Sequence, residues 1–275
     1  MKFGSSTART DISFGSSGVS DKMRNRRRML LTMLGGTASF AIPSYTGSHA
    51  IFGDEKQGYI ECYSTGNITF PLPGKVDIFI LGSGLKGKNG SAVTSGQTQG
   101  GKGGKGAVGK TLTAVDVEGQ YTITVAAACT SNTTANKSTA LGTTANSTTD
   151  NGGAGGYVYS ATNCGKGSNG SNGTSYPFGA TNGTFYKQLG AGGGGGGSVA
   201  NTNGYTVADG GIGGTLGGGK GQHGSGSPSA VAGTANTGSG GGGGYSILTA
   251  ASSVTGGSGA NGGSGIVIIR WGYAA

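Results

Sequence analysis

Apolar residues are sparse along this chain and fall into a few short runs separated by glycine. Ile266-Val267-Ile268-Ile269 is a continuous β-branched run, and Val76 to Leu81 is nearly continuous. Runs of this length and composition predict strands, at 76–81 and 266–271, buried on both faces. Residues 111–117 (TLTAVDV) and 121–127 (YTITVAA) alternate apolar and polar positions around Glu118-Gly119-Gln120. That pattern predicts a β-hairpin over 111–127. Tyr59 to Tyr63 also alternates and reads as a strand leading into the glycine-rich part, while Pro71 and Pro73 mark a turn or a sheet edge.

Between these runs the periodicity changes from two to three. Gly84, Gly87 and Gly90 form one row, and Gly100, Gly103, Gly106 and Gly109 another. Further rows are Gly167-Gly170-Gly173, Gly211-Gly214-Gly217, Gly218-Gly221-Gly224 and Gly256-Gly259-Gly262-Gly265. A period of three fits a polyproline-II-like helix, which has three residues per turn and no internal hydrogen bonds. With no Cβ along an edge, neighbouring helices approach closely enough to share N–H···O and weak Cα–H···O bonds. The expected fold is therefore mainly β and irregular. It is a polyglycine-II helix sandwich flanked by short strands, with its glycine-helix layers over 152–265. Cys129 to Asp150, rich in Thr, Asn, Ser and Ala, interrupts the pattern as an inserted loop or an extra layer.

Composition sharpens this picture. Glycine accounts for 65 of 275 residues, more than three times the ~7% of ordinary proteins. Such a composition also suits a disordered linker, but the interleaved strand patterns oppose that. Five prolines exclude a collagen triple helix. Each glycine costs about 0.5–1 kcal/mol of chain entropy relative to alanine. Dense packing of glycine rows, helped by other chains, is needed to offset that sum. The net charge is +9, yet basic residues are not interleaved with stacking aromatics, so no nucleic-acid partner is expected. The cysteines, Cys62, Cys129 and Cys164, are odd in number and widely spaced, which fits free thiols. His49 and His223 are isolated and suggest no metal site.

The N-terminal part divides off at about residue 56, leaving 57–275 as a glycine-rich domain. Arg24, Arg26, Arg27 and Arg28 precede Met29-Leu30-Leu31-Thr32-Met33-Leu34-Gly35-Gly36. One reading is a short basic helix ended by the two glycines, with the arginines facing a partner or solvent. The other is a twin-arginine export signal with small residues near Ser48-His49-Ala50. No run approaches the eighteen apolar residues of a membrane span.

Two motifs match by wording and fail by context. Residues 104–111, GKGAVGKT, satisfy the phosphate-loop pattern, but strand formers follow where the chemistry needs a helix N-terminus. Residues 101–106, GKGGKG, fit the dinucleotide fingerprint and fail the same test. Carboxylates are scattered and no serine or cysteine sits in a nucleophile elbow. No catalytic residue, cofactor or metal is expected.

The ending Gly262-Gly263-Ser264-Gly265-Ile266-Val267-Ile268-Ile269-Arg270-Trp271 resembles the close of a glycine-rich domain found in bacteriophage tail proteins. The opening at Val76-Asp77-Ile78-Phe79-Ile80-Leu81-Gly82 and the Gly119-Gln120-Tyr121-Thr122-Ile123-Thr124-Val125 segment resemble other parts of it. The likeness covers about residues 66–272 and extends to the glycine-helix adhesins at the tips of some tail fibres. It implies a virion protein of the tail, assembled in the host cytoplasm. Its partners are then other tail or baseplate proteins and a host-surface receptor, protein or glycan. A homo-oligomer is implied, with a trimer favoured. Receptor contact falls to loop aromatics, Tyr157, Tyr159, Tyr176, Phe178, Tyr186 and Tyr205, and virion docking to Arg24, Arg26, Arg27 and Arg28. The same rings could instead pack over glycine edges or between subunits. The alternatives are a baseplate, collar or head-fibre component without receptor contact, and an exported bacterial surface protein.

Overall fold

A computed structural model describes residues 40–94, 97–148, 151–158, 165–177, 186–200, 207–250 and 253–272. The described part is mainly β and irregular, and contains no helix. In chain order the strands begin with β1 (Ser44–Tyr45), β2 (His49–Gly53), β3 (Gly58–Cys62) and β4 (Gly66–Leu81). Next come β5 (Ser91–Thr94), β6 (Gln97–Gln99), β7 (Gly109–Ile123), β8 (Ser138–Ala140), β9 (Thr143–Ala145) and β10 (Tyr157–Val158). The last are β11 (Thr174–Pro177), β12 (Tyr186–Leu189), β13 (Ser198–Ala200), β14 (Ser246–Ala250), β15 (Ser253–Gly256) and β16 (Ile266–Trp271).

The main sheet has the order β1-β4-β16-β3-β2, with β7 also on β4. β16 is its centre, antiparallel to both neighbours: Ile269 lies opposite Ile60 on β3 and Ile78 on β4. Successive side chains of a strand point to opposite faces, so the apolar run serves two cores. Val267, Ile269 and Trp271 join Ile60, Cys62, Val76, Ile78 and Ile80 on one face. Ile266 and Ile268 join Phe79, Leu81, Ala107 and Leu189 on the other. This double burial is why β16 and the end of β4 lack alternation. Each such side chain contributes about 1.5–3 kcal/mol.

The expected hairpin over 111–127 does not form. Residues 109–123 make one long strand, β7, whose two halves both pair with β4, from Leu81↔Gly109 to Gly66↔Ile123. Gly119, the expected hairpin apex, has φ +79° and sits at an irregularity instead. Pro71, Leu72 and Pro73 lie across from it, in the register gap between Phe70 and Gly74. Proline cannot donate to a ladder, so the ladder breaks there and resumes beyond. A short hairpin does occur in the 129–150 stretch: β8 and β9 are joined by Leu141-Gly142, with φ +48° and +76°, the signature of a two-residue type I′ turn.

The glycine rows are held by backbone hydrogen bonds that recur every third residue. Residues 240–244 are representative. Gly240 and Gly243 N–H donate to Ala191 and Gly194, Gly241 and Gly244 donate to Leu85 and Lys88, and Gly242 donates to Val231. Their carbonyls accept from Gly104 and Gly101, from Gly219 and Gln222, and from Ala260. Row 238–244 thus bonds to six others: 190–197, 84–90, 230–234, 217–224, 100–107 and 257–263. These neighbours also bond to one another in a ring. Leu85 donates to Lys105, Gly87 to Ala260, Gly233 to Asn261, Val231 to Lys220, Gly194 to Gly219, and Gly193 to Gly104. Row 190–197 is ringed in the same way by 100–107, 151–156, 165–173, 208–214, 217–224 and 238–244. A Cβ built on Gly193 falls 2.0 Å from Gly241 O, and one on Gly241 falls 2.1 Å from Ala260 O. The lattice spacing leaves no room for a side chain there. Rows 84–90 and 100–107 belong to the same lattice as the rows within 152–265.

At some row positions side chains supply the bonds. Asn169 Oδ1 accepts from Ile212 N–H (2.9 Å), and Asn172 Oδ1 accepts from Thr215 N–H (3.0 Å). Asn151 accepts from Gly106 N–H and donates to Gly190 O, both at 2.7 Å.

Candidate functional site

The rows run between two ends. At the sheet end, Ala107 and Leu189 pack against Leu81 and Ile266, and a Cβ on Gly238 would meet the Leu81 side chain. Phe40, the first described residue, also lies at the main sheet, stacked on Trp271 at 5.9 Å. At the far end the rows pass into two small sheets, β10-β6-β5 and β13-β14-β15. Ser198 stitches this end: its hydroxyl accepts from Gly100 N–H at 2.7 Å and donates to Gly156 O.

This register divides the aromatic candidates. Tyr157 is in β10, which continues row 151–156 at the far end. Tyr176 and Tyr186 are in β11 and β12, a two-stranded ribbon at the sheet end with Tyr176↔Lys187 and Pro177↔Tyr186 in register. Only the backbone of these three tyrosines is described. Tyr159, Phe178 and Tyr205 lie outside the described residues, as do Arg24, Arg26, Arg27 and Arg28. Tyr157 is thus described at the far end, and Tyr176 and Tyr186 at the sheet end. The three described candidates therefore lie at two different ends of the rows.

The far end also carries a group that the sequence did not bring together. His223 Nδ1 lies 2.7 Å from Ser225 Oγ, and its Nε2 lies 3.4 Å from Asp209 Oδ1. Serine, histidine and aspartate in contact invite comparison with a nucleophilic triad. The remaining bonds are those of a turn: Ser225 Oγ donates to Ser227 O (3.1 Å), and Gly226 N–H donates to His223 O (2.9 Å). A hydroxyl proton engaged by a carbonyl is not poised for transfer to imidazole, and the cluster holds the 223–228 turn. Tyr245 closes the same region. Its N–H donates to Gln222 Oε1 (3.3 Å), and its ring fills the space over Gly226 and Gly257.

Ionisable groups at the sheet end serve structure. Arg270 Nε donates to Asp77 Oδ2 at 3.0 Å and its Nη2 donates to the same oxygen, while Asp77 Oδ1 accepts from Ala114 N–H at 2.9 Å. Ala114 has φ +53°, so the carboxylate secures a left-handed residue as well as the guanidinium. Asp54 Oδ1 accepts from Gln57 N–H (3.0 Å) and Lys56 N–H (2.7 Å), and these bonds hold its carboxyl below the usual range. Burial pushes the Cys62 thiol up to about 12. Burial, then the bond to Glu61, pushes Tyr63 up to about 12 as well. Among the described residues no group of three or more His, Cys, Asp or Glu is arranged to hold a metal. The phosphate-loop match runs from row 100–107 directly into strand β7, so the helix that phosphate binding requires does not follow it.

Residues 63–272 match the family model described as a glycine-rich domain. The chain belongs to that family. Its glycine-rich domain begins at the residue after β3 and ends at the residue after β16, so the match spans the central strand and every row of the lattice. No curated protein sequence matches the chain. Among the described residues, no helix is long and apolar enough to cross a membrane.

Proposed function

We propose that this glycine-rich domain is a structural and host-attachment component of a bacteriophage tail, in which a rigid backbone lattice carries variable loops to the host surface. The observation behind this reading is the division of the molecule into two ends. Phe40 lies at the main sheet, while β10 and β13 lie at the opposite end of the rows. Loops held on a rigid scaffold suit binding surfaces because they vary without disturbing what carries them. In this reading the far-end segment, with Tyr157, Tyr159 and Tyr205, meets the receptor. The sheet end, with Arg24, Arg26, Arg27 and Arg28 preceding it, docks on tail or baseplate proteins. The role is non-enzymatic and needs no cofactor.

The rows themselves are proposed to be polyglycine-II helices forming a sandwich. The support is their bonding at every third residue to a closed ring of neighbours, which matches three residues per turn.

The test uses the fluorescently labelled full chain against a panel of Gram-negative and Gram-positive cells. In one variant, residues 159–164 are replaced by a Gly/Ser segment of equal length; in another, residues 178–185 are replaced. Binding to a susceptible strain lost in the first variant and kept in the second supports the reading. Loss only in the second moves the contact to the sheet end. Binding to no strain favours a tail component without receptor contact.

A further inference from the structure

Two outer strands of the main sheet, β7 and β2, are built differently. β7 carries Lys110, Asp116 and Glu118, has left-handed residues at Ala114 and Gly119, and shifts register twice against β4. Charges and bulges of this kind are how sheet edges are kept from pairing with other chains. β2, His-Ala-Ile-Phe-Gly, has no Asp, Glu, Lys, Arg or proline, its left-handed residue is the last one, Gly53 (φ +93°), and its register with β3 is unbroken from His49↔Cys62 to Gly53↔Gly58. Ile51 and Phe52 are 38% and 43% exposed. Among the described residues β2 pairs with β3 alone.

The register fixes which backbone groups are open. Tyr63 N–H donates to Ser48 O (2.8 Å), and Asp54 N–H donates to Gln57 O (3.0 Å). In an antiparallel ladder, alternate residues exchange both bonds with their partners. Ser48, Ala50, Phe52 and Asp54 therefore face β3, and His49 and Ile51 turn their N–H and C=O outward.

We infer that β2 pairs antiparallel with β2 of a second copy of this chain, about a two-fold axis at Ile51. The strand is complementary to itself. Centring on Ile51 sets Ile51 against Ile51, where both bonds are exchanged reciprocally, and His49 against Gly53 at the strand's end. Small Ala50 then meets large Phe52. The chain bends at 46–48 and turns at 54–57, so the paired segment is His49 to Gly53, which has no Asp, Glu, Lys or Arg to oppose. This is an isologous contact, which gives pairs rather than the trimer that the tail-protein resemblance implies. It does not rest on the attachment reading.

A five-residue strand pair buries less than the ~1,200 Å² of a standard interface. The pairing is therefore weak at low concentration and is measured up to about 1 mM. Two variants of the full chain test it. Paired residues that exchange both bonds have Cα atoms about 5.5 Å apart, within disulfide range, so Ile51→Cys should give a covalent dimer at least about tenfold faster than Thr113→Cys on β7. Cys62 and Cys129 are buried, and the unmodified chain supplies the baseline. Ile51→Pro removes an outward N–H and none of the bonds to β3, so it should keep the parent circular dichroism and Trp271 emission. It should also abolish the concentration-dependent dimer seen by sedimentation. Equal cross-linking at the two sites, a parent chain monomeric at every concentration, or a dimer surviving Ile51→Pro each overturns the inference. So does a monomeric parent whose β2 pairs with a strand of a different protein.

Discussion

Adding one methyl group at Gly193 tests whether the lattice is a solid. Its Cβ would lie 2.0 Å from Gly241 O and 2.5 Å from Gly241 C, so rows 190–197 and 238–244 must part by roughly 1 Å to relieve the contact. Two bonds that join these rows, Gly240 N–H to Ala191 O (2.8 Å) and Gly243 N–H to Gly194 O (2.9 Å), would then pass beyond hydrogen-bonding distance. Each leaves a buried donor and acceptor unsatisfied at about 1–3 kcal/mol. Alanine returns only about 0.5–1 kcal/mol through the unfolded chain. Gly193→Ala should therefore destabilise by roughly 2–5 kcal/mol, a large share of the ~5–15 kcal/mol of a typical domain. Gly142→Ala is the control. Nothing lies within 4 Å of its Cβ and only its φ of +76° opposes substitution, a cost of about 1–2 kcal/mol. Urea denaturation followed by the emission of Trp271, the single tryptophan, and by circular dichroism measures both. A Gly193→Ala protein no less stable than Gly142→Ala would refute a close-packed backbone interior.

Other perturbations probe the sheet end. Asp77→Ala removes the acceptor for Arg270 and for the Ala114 N–H and should cost about 3 kcal/mol, read from the urea midpoint; Ala114→Gly in that background should restore part of the loss by relieving the left-handed strain. Asp54, whose folded pKa is depressed by the Gln57 and Lys56 N–H groups, contributes stability that is present above its unfolded pKa and lost as pH falls through the folded value. The 54–57 turn should therefore loosen only below the ordinary carboxylate range, seen as a change in Trp271 emission because Trp271 Nε1 donates to Asp54 O (2.8 Å); an Asp54→Asn protein should lack that acid step. Cys62, its thiol raised by burial to about 12, should resist a thiol-reactive dye at pH 8 until the protein is unfolded, as mass spectrometry of labelled peptides would report.

Some of this was legible in the residues. The β-branched run at 266–269 needs both faces covered, and β16 lies between two strands with its side chains divided between two cores. The alternation over 111–127 does not specify a hairpin, because it reports burial on one face and not the identity of the neighbour. Residues 111–117 and 121–123 satisfy it by both pairing with β4, and the deciding feature, Pro71-Leu72-Pro73, lies some 45 residues away. The period of three was plain in the glycines, whereas the neighbours of each row were not. Rows without side chains present nearly identical surfaces, so sequence carries little information on which meets which. Row 230–234 holds a single glycine, Gly233, yet occupies a full place in a ring. His223 stands alone in the sequence and meets Asp209 only because rows 208–214 and 217–224 are antiparallel neighbours. The aromatic candidates were chosen by residue type, which cannot say at which end of a row a loop emerges.

The asparagines at 169 and 172 carry a consequence for growth. A stack of equivalent strands with open margins behaves like a crystal seed, able to recruit further molecules sideways without limit. By turning its own amides onto the margin at 212 and 215, this protein writes a terminus into its own crystal. Replacing both asparagines by alanine should open that margin and promote fibre growth, read by light scattering.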